Sequence, residues 1–188
     1  MIESRVLTPP AYLNEDKREN DSNSSEKIGL TWREIGRNFI YLFGPIQGAE
    51  DWQKSAIEII HSLNPDLQIL SPRRIEENQE YSHNKKLDQI EWERHHIEKT
   101  WRRGVSMFWL LKESEHIGGR SYAQTSRFEL GESKIRHELS YSKLVVGIQN
   151  GFSGENYIKN ILSKDCRDVP IKDSLKETCK EAVRLIKE

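Results

Sequence analysis

From residue 38 onward, short apolar runs alternate with amphipathic segments, and this alternation constrains the fold more than any other feature of the chain. Phe39-Ile-Tyr-Leu-Phe43, closed by Gly44-Pro45, is the pattern of a strand buried on both faces, and so of a first central strand. Trp52, Ala56, Ile59, Ile60 and Leu63 then recur at helical spacing until Asn64-Pro65. Leu67 to Leu70 predicts a second strand, ended by Ser71-Pro72. Leu87, Ile90, Ile97 and Trp101 share one stripe of 3.6-residue period and predict a helix ending near Gly104. Val105 to Leu111 predicts a third strand. Phe128, Ile135 and Leu139 mark a third helix, Lys143 to Ile148 a fourth strand, and Asn156 to Leu162 a shorter helix. Val169 to Ile171 reads as a brief last strand before a helix carrying Leu175, Cys179, Val183 and Ile186, with Ser174-x-x-Glu177 as a capping box. Strands joined by helices must return to the same end of a sheet. The alternation therefore predicts a flavodoxin- or Rossmann-like α/β domain, a parallel sheet of about five strands with helices on both faces.

The 188 residues suffice for one core and are few for two that fold independently. Residues 1–37 read as an N-terminal arm and flexible loop, and residues 38–188 as the domain. Within the arm, Val6 to Tyr12, with Pro9 and Pro10, reads as extended, and residues 14–27 hold no aliphatic or aromatic side chain to add to a core. Lysine plus arginine (29) nearly cancels aspartate plus glutamate (30), so no long-range field recruits a nucleic-acid polymer or an anionic membrane. No apolar stretch approaches bilayer length and the N-terminus lacks the apolar core of a signal peptide, which predicts a soluble, cytoplasmic protein. Cys166 and Cys179 have no paired spacing, so neither a disulfide framework nor a zinc site is expected. No His/Asp/Glu spacing predicts a metal and no cofactor is implied; Gly118-Gly119-Arg120 is too sparse for a phosphate loop.

In parallel sheets ligands bind beyond the strand C-termini. That rule selects Gly44-Pro45-Ile46-Gln47-Gly48, Ser71-Pro72-Arg73-Arg74, Lys112 to Arg127, and Gln149-Asn150-Gly151. Glu129 falls in the first turn of the helix opening at Ser126-Arg-Phe-Glu129. The field of a helix N-terminus there favours the ionised carboxylate by about 0.3–1 kcal/mol, and an ionised, positioned carboxylate can attack a sugar anomeric carbon. Ser126-x-x-Glu129 equally fits a capping box, in which the carboxylate only satisfies a backbone donor.

Taken in order, Ile40-Tyr-Leu-Phe-Gly-Pro-Ile46 with Trp52, Ser71-Pro-Arg-Arg74, Trp92-Glu93, Phe108-Trp109, Phe128-Glu-Leu-Gly131 and Val145-Val-Gly147 resemble the nucleoside 2-deoxyribosyltransferase-like family, from residue 39 to about residue 150. The resemblance implies that Glu129 is a nucleophile. It would take a deoxyribosyl group from one base and pass it to another base or to water, through a covalent glycosyl-enzyme and with retention at the anomeric carbon. It also implies a second carboxylate, on the helix before the third strand, and an aspartate at the start of that strand. Glu93 fits the first, as a general acid near the buried side of its helix, where its pKa can be raised, or else as a solvated glutamate. Gly104 occupies the position of the second. His96, one turn beyond Glu93, can pair with it or belong to a polar face.

Trp52, Trp92 and Trp109 can stack on a base or serve the core. Arg73 and Arg74 can hold a 5′-phosphate or stand at the surface without a ligand. With Gly44, Pro45, Ile46, Gln47 and Asn150 these residues make up the expected binding site for a small-molecule nucleoside or nucleotide. The resemblance further implies a symmetric homodimer or larger assembly. In it, residues 149–152 of a neighbouring subunit complete the pocket; Asn150 can there reach a sugar hydroxyl or serve only as a turn residue before Gly151. Phe152 and Tyr157 can supply interface area or cover their own core. Two other functions stay open on these residues: a nucleotide-binding module without catalysis, which Gly104 favours, and a purely structural role.

Overall fold

The computed structural model describes residues 5–9, 38–73, 83–140 and 142–188, with 83–88 described by their backbone alone. The loop read over residues 14–27, residues 10–12 of the arm, Arg74 and the side chain of Leu87 lie outside the described residues. The elements are β1 (Val6–Leu7), β2 (Phe39–Phe43), α1 (Trp52–Leu63), β3 (Gln68–Leu70), α2 (His83–Arg103), β4 (Val105–Leu110), α3 (Gln124–Ser140), β5 (Lys143–Ile148), α4 (Glu155–Asp165), β6 (Ile171–Lys172) and α5 (Leu175–Ile186). The strands form one sheet in the order β1-β3-β2-β4-β5-β6, with every pair parallel. The architecture is thus the expected Rossmann- or flavodoxin-like one, with six strands instead of about five. The arm supplies the additional strand: Val6 and Leu7 pair with Ile69 and Leu70, and Ser71 N–H donates to Leu7 O at 2.9 Å.

Every residue of β2 is buried, and its side chains alternate between two cores. Phe39, Tyr41 and Phe43 join Trp92, Ile97, Trp101, Phe108, Leu130 and Phe152 under α2, α3 and α4. Ile40 and Leu42 join Trp52, Ala56, Ile60, Trp109, Cys179 and Ala182 under α1 and α5. At about 1.5–3 kcal/mol for each large side chain taken from water, these two layers are the main stabilising term. Ser174 Oγ accepts from Glu177 N–H at 3.3 Å, so the capping contact read before α5 is formed. Among the described residues no helix is long and apolar enough to cross a membrane.

Two helices lie where periodicity put them but turn a different face inward. In α3, Phe128, Ile135 and Leu139 are exposed, and Ser126, Leu130 and Ser133 are buried. In α2, Ile90 is exposed while Trp92, His96 and Thr100 join Ile97 and Trp101 inside. Neighbouring elements explain the change in α3. Trp101 fills the core beneath it and its indole N–H reaches Ser133 Oγ at 3.2 Å, so small residues suffice on the helix. Strand order reverses between β2 and β4, where the chain leaves the sheet in opposite directions. The crevice between their C-terminal ends is the place such a sheet offers a ligand.

Candidate active site

The loops that leave the C-terminal ends of the strands are tied into one rim. Gly48 O accepts from Ser114 N–H at 2.8 Å and from Ser114 Oγ at 3.0 Å, and Arg120 donates to the Gln47 side chain. Gln149 Oε1 accepts from Lys112 N–H at 3.0 Å, and Tyr122 Oη donates to Leu111 O at 2.9 Å. Arg127 donates to Tyr122 O and, at 2.9 Å, to Ser153 O, with its guanidinium 4.8 Å from the Phe152 ring centre. Phe152 therefore covers its own core. Asn150 is exposed in the turn after β5, at the same end of the sheet.

Gly44 is the tightest point of this rim. A Cβ there would stand 2.3 Å from Trp109 O and 2.7 Å from Trp52 Cζ2, and its φ of +154° lies where side chains are strained. Pro45 is buried and Ile46 half-buried. Gly44→Ala should cost about 2–3 kcal/mol in chemical denaturation, because both neighbours are fixed, one being backbone and the other a packed indole.

Three residues expected to meet the ligand are used differently. Trp52 is buried and donates its indole N–H to Pro45 O at 2.8 Å, which pins the turn after β2. Trp109 lies in the α1/α5 core, on the opposite side of the sheet from α3, where its ring leaves no space for a Cβ on Gly147. Neither is placed to stack on a base at Glu129. Arg73 donates from Nε to Gln53 Oε1 at 2.9 Å and from Nη2 to Ile46 O at 3.2 Å and Glu50 O at 3.3 Å, with Asp51 Oδ1 3.2 Å from Nε. Its guanidinium clamps the 46–51 turn to the end of β3. Arg73→Ala should accordingly lower the thermal midpoint and leave the affinity ratio of a 5′-monophosphate to its nucleoside unchanged, in paired titrations at low and high salt.

On the α2/α3 side of the sheet, α2 and α3 bring the carboxyl groups of Glu93, Glu129 and Glu132 into one electrostatic group. α3 begins at Gln124, with Arg127 N–H donating to Ala123 O at 3.0 Å, so Glu129 stands in the second turn and Ser126 is buried within the helix. The expected capping box is absent, and the helix-end field, which fades within one turn, no longer decides the charge of Glu129. Burial decides it instead. Together with the nearby carboxylates Glu93 and Glu132, and against the pull of Arg94, burial pushes the Glu129 carboxyl up to about 8. Arg94 is itself held by Glu132 at 2.6 Å. Glu93 is half-buried and accepts from Gln89 Nε2 at 2.8 Å, the amide that also reaches Pro72 O at 3.4 Å behind β3.

Tyr41 completes the cluster, and sequence reasoning passed over it. Its ring is fully buried and its hydroxyl has no hydrogen-bond partner among the described residues. Burial, then the charges of Glu93 and Glu129, hold its phenol well above the ordinary value, so it stays a protonated donor. Both carboxylates act on the phenol, so Tyr41 shares one electrostatic environment with Glu93 and Glu129. The available signal was one hydroxyl inside an otherwise apolar, doubly buried strand, where an unpaired polar atom is costly.

Trp92 walls this side, with its ring 6.3 Å from that of Tyr41 and 4.1 Å from that of His96. His96 is buried, its Nδ1–H donating to Trp92 O at 2.7 Å, and burial lowers its pKa to about 4. It is therefore a neutral structural ring and not an ionic partner for Glu93. Gly104 precedes β4 at the opposite, N-terminal edge, where a Cβ would meet the Phe39 ring at 2.6 Å. A side chain at that position would not reach the crevice, so the glycine takes nothing from the cluster. Among the described residues no group of three or more His, Cys, Asp or Glu side chains is arranged to hold a metal. Compared with known proteins, the sequence matches no family model and no curated protein.

Proposed function

We propose that this protein breaks the N-glycosidic bond of a nucleoside or nucleotide and passes the sugar to another base or to water. In this reading Glu129 is the nucleophile, Glu93 the proton donor, and Tyr41 a neutral buried phenol beside them whose hydroxyl makes no bond to either carboxyl group. The observation that carries it is that Glu93 and Glu129 act electrostatically on each other and on the buried Tyr41 phenol, on the side of β2 covered by α2 and α3.

Burial and the charge of Glu93 keep the proton of the pair on Glu129 below about pH 8; in this reading it passes to Glu93 before the attack and leaves Glu129 as the anion. An oxygen of the Glu129 carboxylate attacks the anomeric carbon as the carbon–nitrogen bond breaks. The bonding pair goes to the base nitrogen, which takes the shared proton through Glu93. A second base or a water then attacks the same carbon from the face the first base left. The ester bond to Glu129 breaks, its pair returns to the carboxylate, and the proton of the acceptor goes back to Glu93. Two inversions give net retention. A buried, low-dielectric site strengthens each of these charge effects.

The test is incubation of the full chain with a panel of nucleosides, their 5′-monophosphates and nicotinamide dinucleotide, with and without an acceptor base, followed by chromatography for free base. Base release without acceptor defines a hydrolase, and exchange only with acceptor a transferase. No released base across the panel would reject the reading.

A further inference from the structure

At the edge of the sheet opposite the crevice, where α2 and α3 end and β4 and β5 begin, the surface carries a hollow of about 200 Å³. Trp101 forms an apolar wall. The polar groups around it are Arg102 and Arg103 from the last turn of α2, Ser140 from the end of α3, and Ser142 and Lys143 at the entrance to β5. None of its lining residues is a carboxylate. The side chains of Arg102 and Lys143 form no ion pair among the described residues, and the hydroxyl of Ser142, a buried residue, makes no hydrogen bond there. We propose that this hollow binds a phosphate group, either as the free dianion or as the monoester end of a small molecule.

A helix C-terminus carries about half a negative charge, so the two that end at this edge account for about one cation between them. Arg102 and Lys143 alone bring two, and Arg103 adds a third. Helix-end attraction explains cations in the last turn of α2 but not Lys143, which opens a strand and is half-buried. The end of α3 already has His137, which holds Ser142 O at 2.8 Å with one ring nitrogen and Asp168 Oδ2 at 3.1 Å with the other. That contact fixes the entrance to β5 and turns the Asp168 carboxylate toward the imidazole. The local surplus of positive charge suits a dianion. A guanidinium offers phosphate oxygens a planar fork, an ammonium a point charge and a hydroxyl one further donor. At roughly 30 Å³ per water molecule, the hollow takes a tetrahedral anion and several waters. Over the whole chain lysine plus arginine (29) nearly cancels aspartate plus glutamate (30), so the attraction is confined to this hollow and suits a small molecule rather than a nucleic-acid backbone. From Glu93 to Arg102 is nine residues of α2, and from Glu129 to Ser140 eleven of α3. At 1.5 Å per residue these are about 14 and 17 Å, so the hollow is a separate site and the inference is independent of the proposed reaction.

Titration calorimetry on the full chain tests it, with inorganic phosphate and methyl phosphate as probes at about pH 8, where both are mainly dianions, and with sodium chloride adjusted to hold ionic strength constant. The parent should bind phosphate saturably, and less tightly as the salt is raised. Methyl phosphate binding as tightly as phosphate identifies a monoester ligand, and phosphate binding alone identifies the free ion; either supports the site. Arg102→Gln combined with Lys143→Gln should weaken binding at least tenfold. Ser140→Glu, which sets a carboxylate at the exposed rim of the hollow, should do the same with an unchanged circular dichroism spectrum. Lys54→Gln combined with Lys164→Gln removes the same charge from exposed positions on α1 and α4 and should leave the affinity unchanged. No saturable binding of either probe by the parent, or undiminished binding in Ser140→Glu or in a folded Arg102→Gln, Lys143→Gln protein, would overturn the inference.

Discussion

Glu129→Gln should release base no faster than background, at least a thousandfold below the parent, while its circular dichroism stays unchanged. The amide keeps the shape of the carboxyl group and its capacity for hydrogen bonds but has no anionic oxygen to attack carbon, so the covalent route closes. The loss should appear in kcat and not in substrate affinity, because the missing bond forms only on the way to the intermediate. Glu93→Gln should fall less, by about 10²–10⁴-fold, and most for bases that leave poorly, since a general acid matters in proportion to the proton the leaving group needs. A folded Glu129→Gln protein with near-parent turnover would remove Glu129 from the chemistry. Equal losses for good and poor leaving bases in Glu93→Gln would remove Glu93 from proton donation.

The same substitution should also make the protein more stable than the parent in alkaline solution. The Glu129 carboxyl is raised from 4.5 to about 8 in the fold, so between those values the folded chain holds a proton that the unfolded chain has lost. Stability then falls as pH rises. The contribution is complete below pH 4.5 and gone above pH 8. At pH 9 the folded parent must carry an anion beside Glu93 and Glu132, at a cost on the order of 5 kcal/mol for a displacement of this size. Glutamine carries no such charge. Denaturant midpoints at pH 5, 7 and 9 should diverge between parent and Glu129→Gln as pH rises, with the parent falling. Parallel curves would show that Glu129 is solvated and ionised at neutral pH, and would remove the shared proton from the mechanism.

Both results depend on a neighbourhood that local sequence did not show. Glu129 and Glu93 were singled out by motif resemblance and helical position. The state of Glu129 was misjudged, because Ser126-x-x-Glu129 reads as a helix start while the helix opens at Gln124. Three residues of register, from a cap at Ser126 to one at Ala123, moved the carboxyl out of the helix-end field and under the influence of burial, Glu93 and Glu132. Tyr41 was hidden for a related reason: an aromatic residue within an apolar strand looks like core until the groups facing its hydroxyl are known. Arg73 and Trp52 were placed at the correct edge, and their polar atoms turned out to satisfy carbonyls of the rim.

The amino-acid sequence by itself determined the order of strands and helices, the parallel sheet, and the strand ends from which the crevice is built. Those follow from periodicity and from glycine and proline punctuation, which act over a few residues. The tertiary structure alone decided which face of α3 turns inward, which tryptophans belong to the core, and that Glu129 shares its surroundings with Glu93 and Tyr41. Helical periodicity groups the residues of one face but carries no sign. The sign comes from the volume that Trp101 and its neighbours already fill, and the protonation of Glu129 comes first from burial in the fold and then from the charge of Glu93, 36 residues away along the chain.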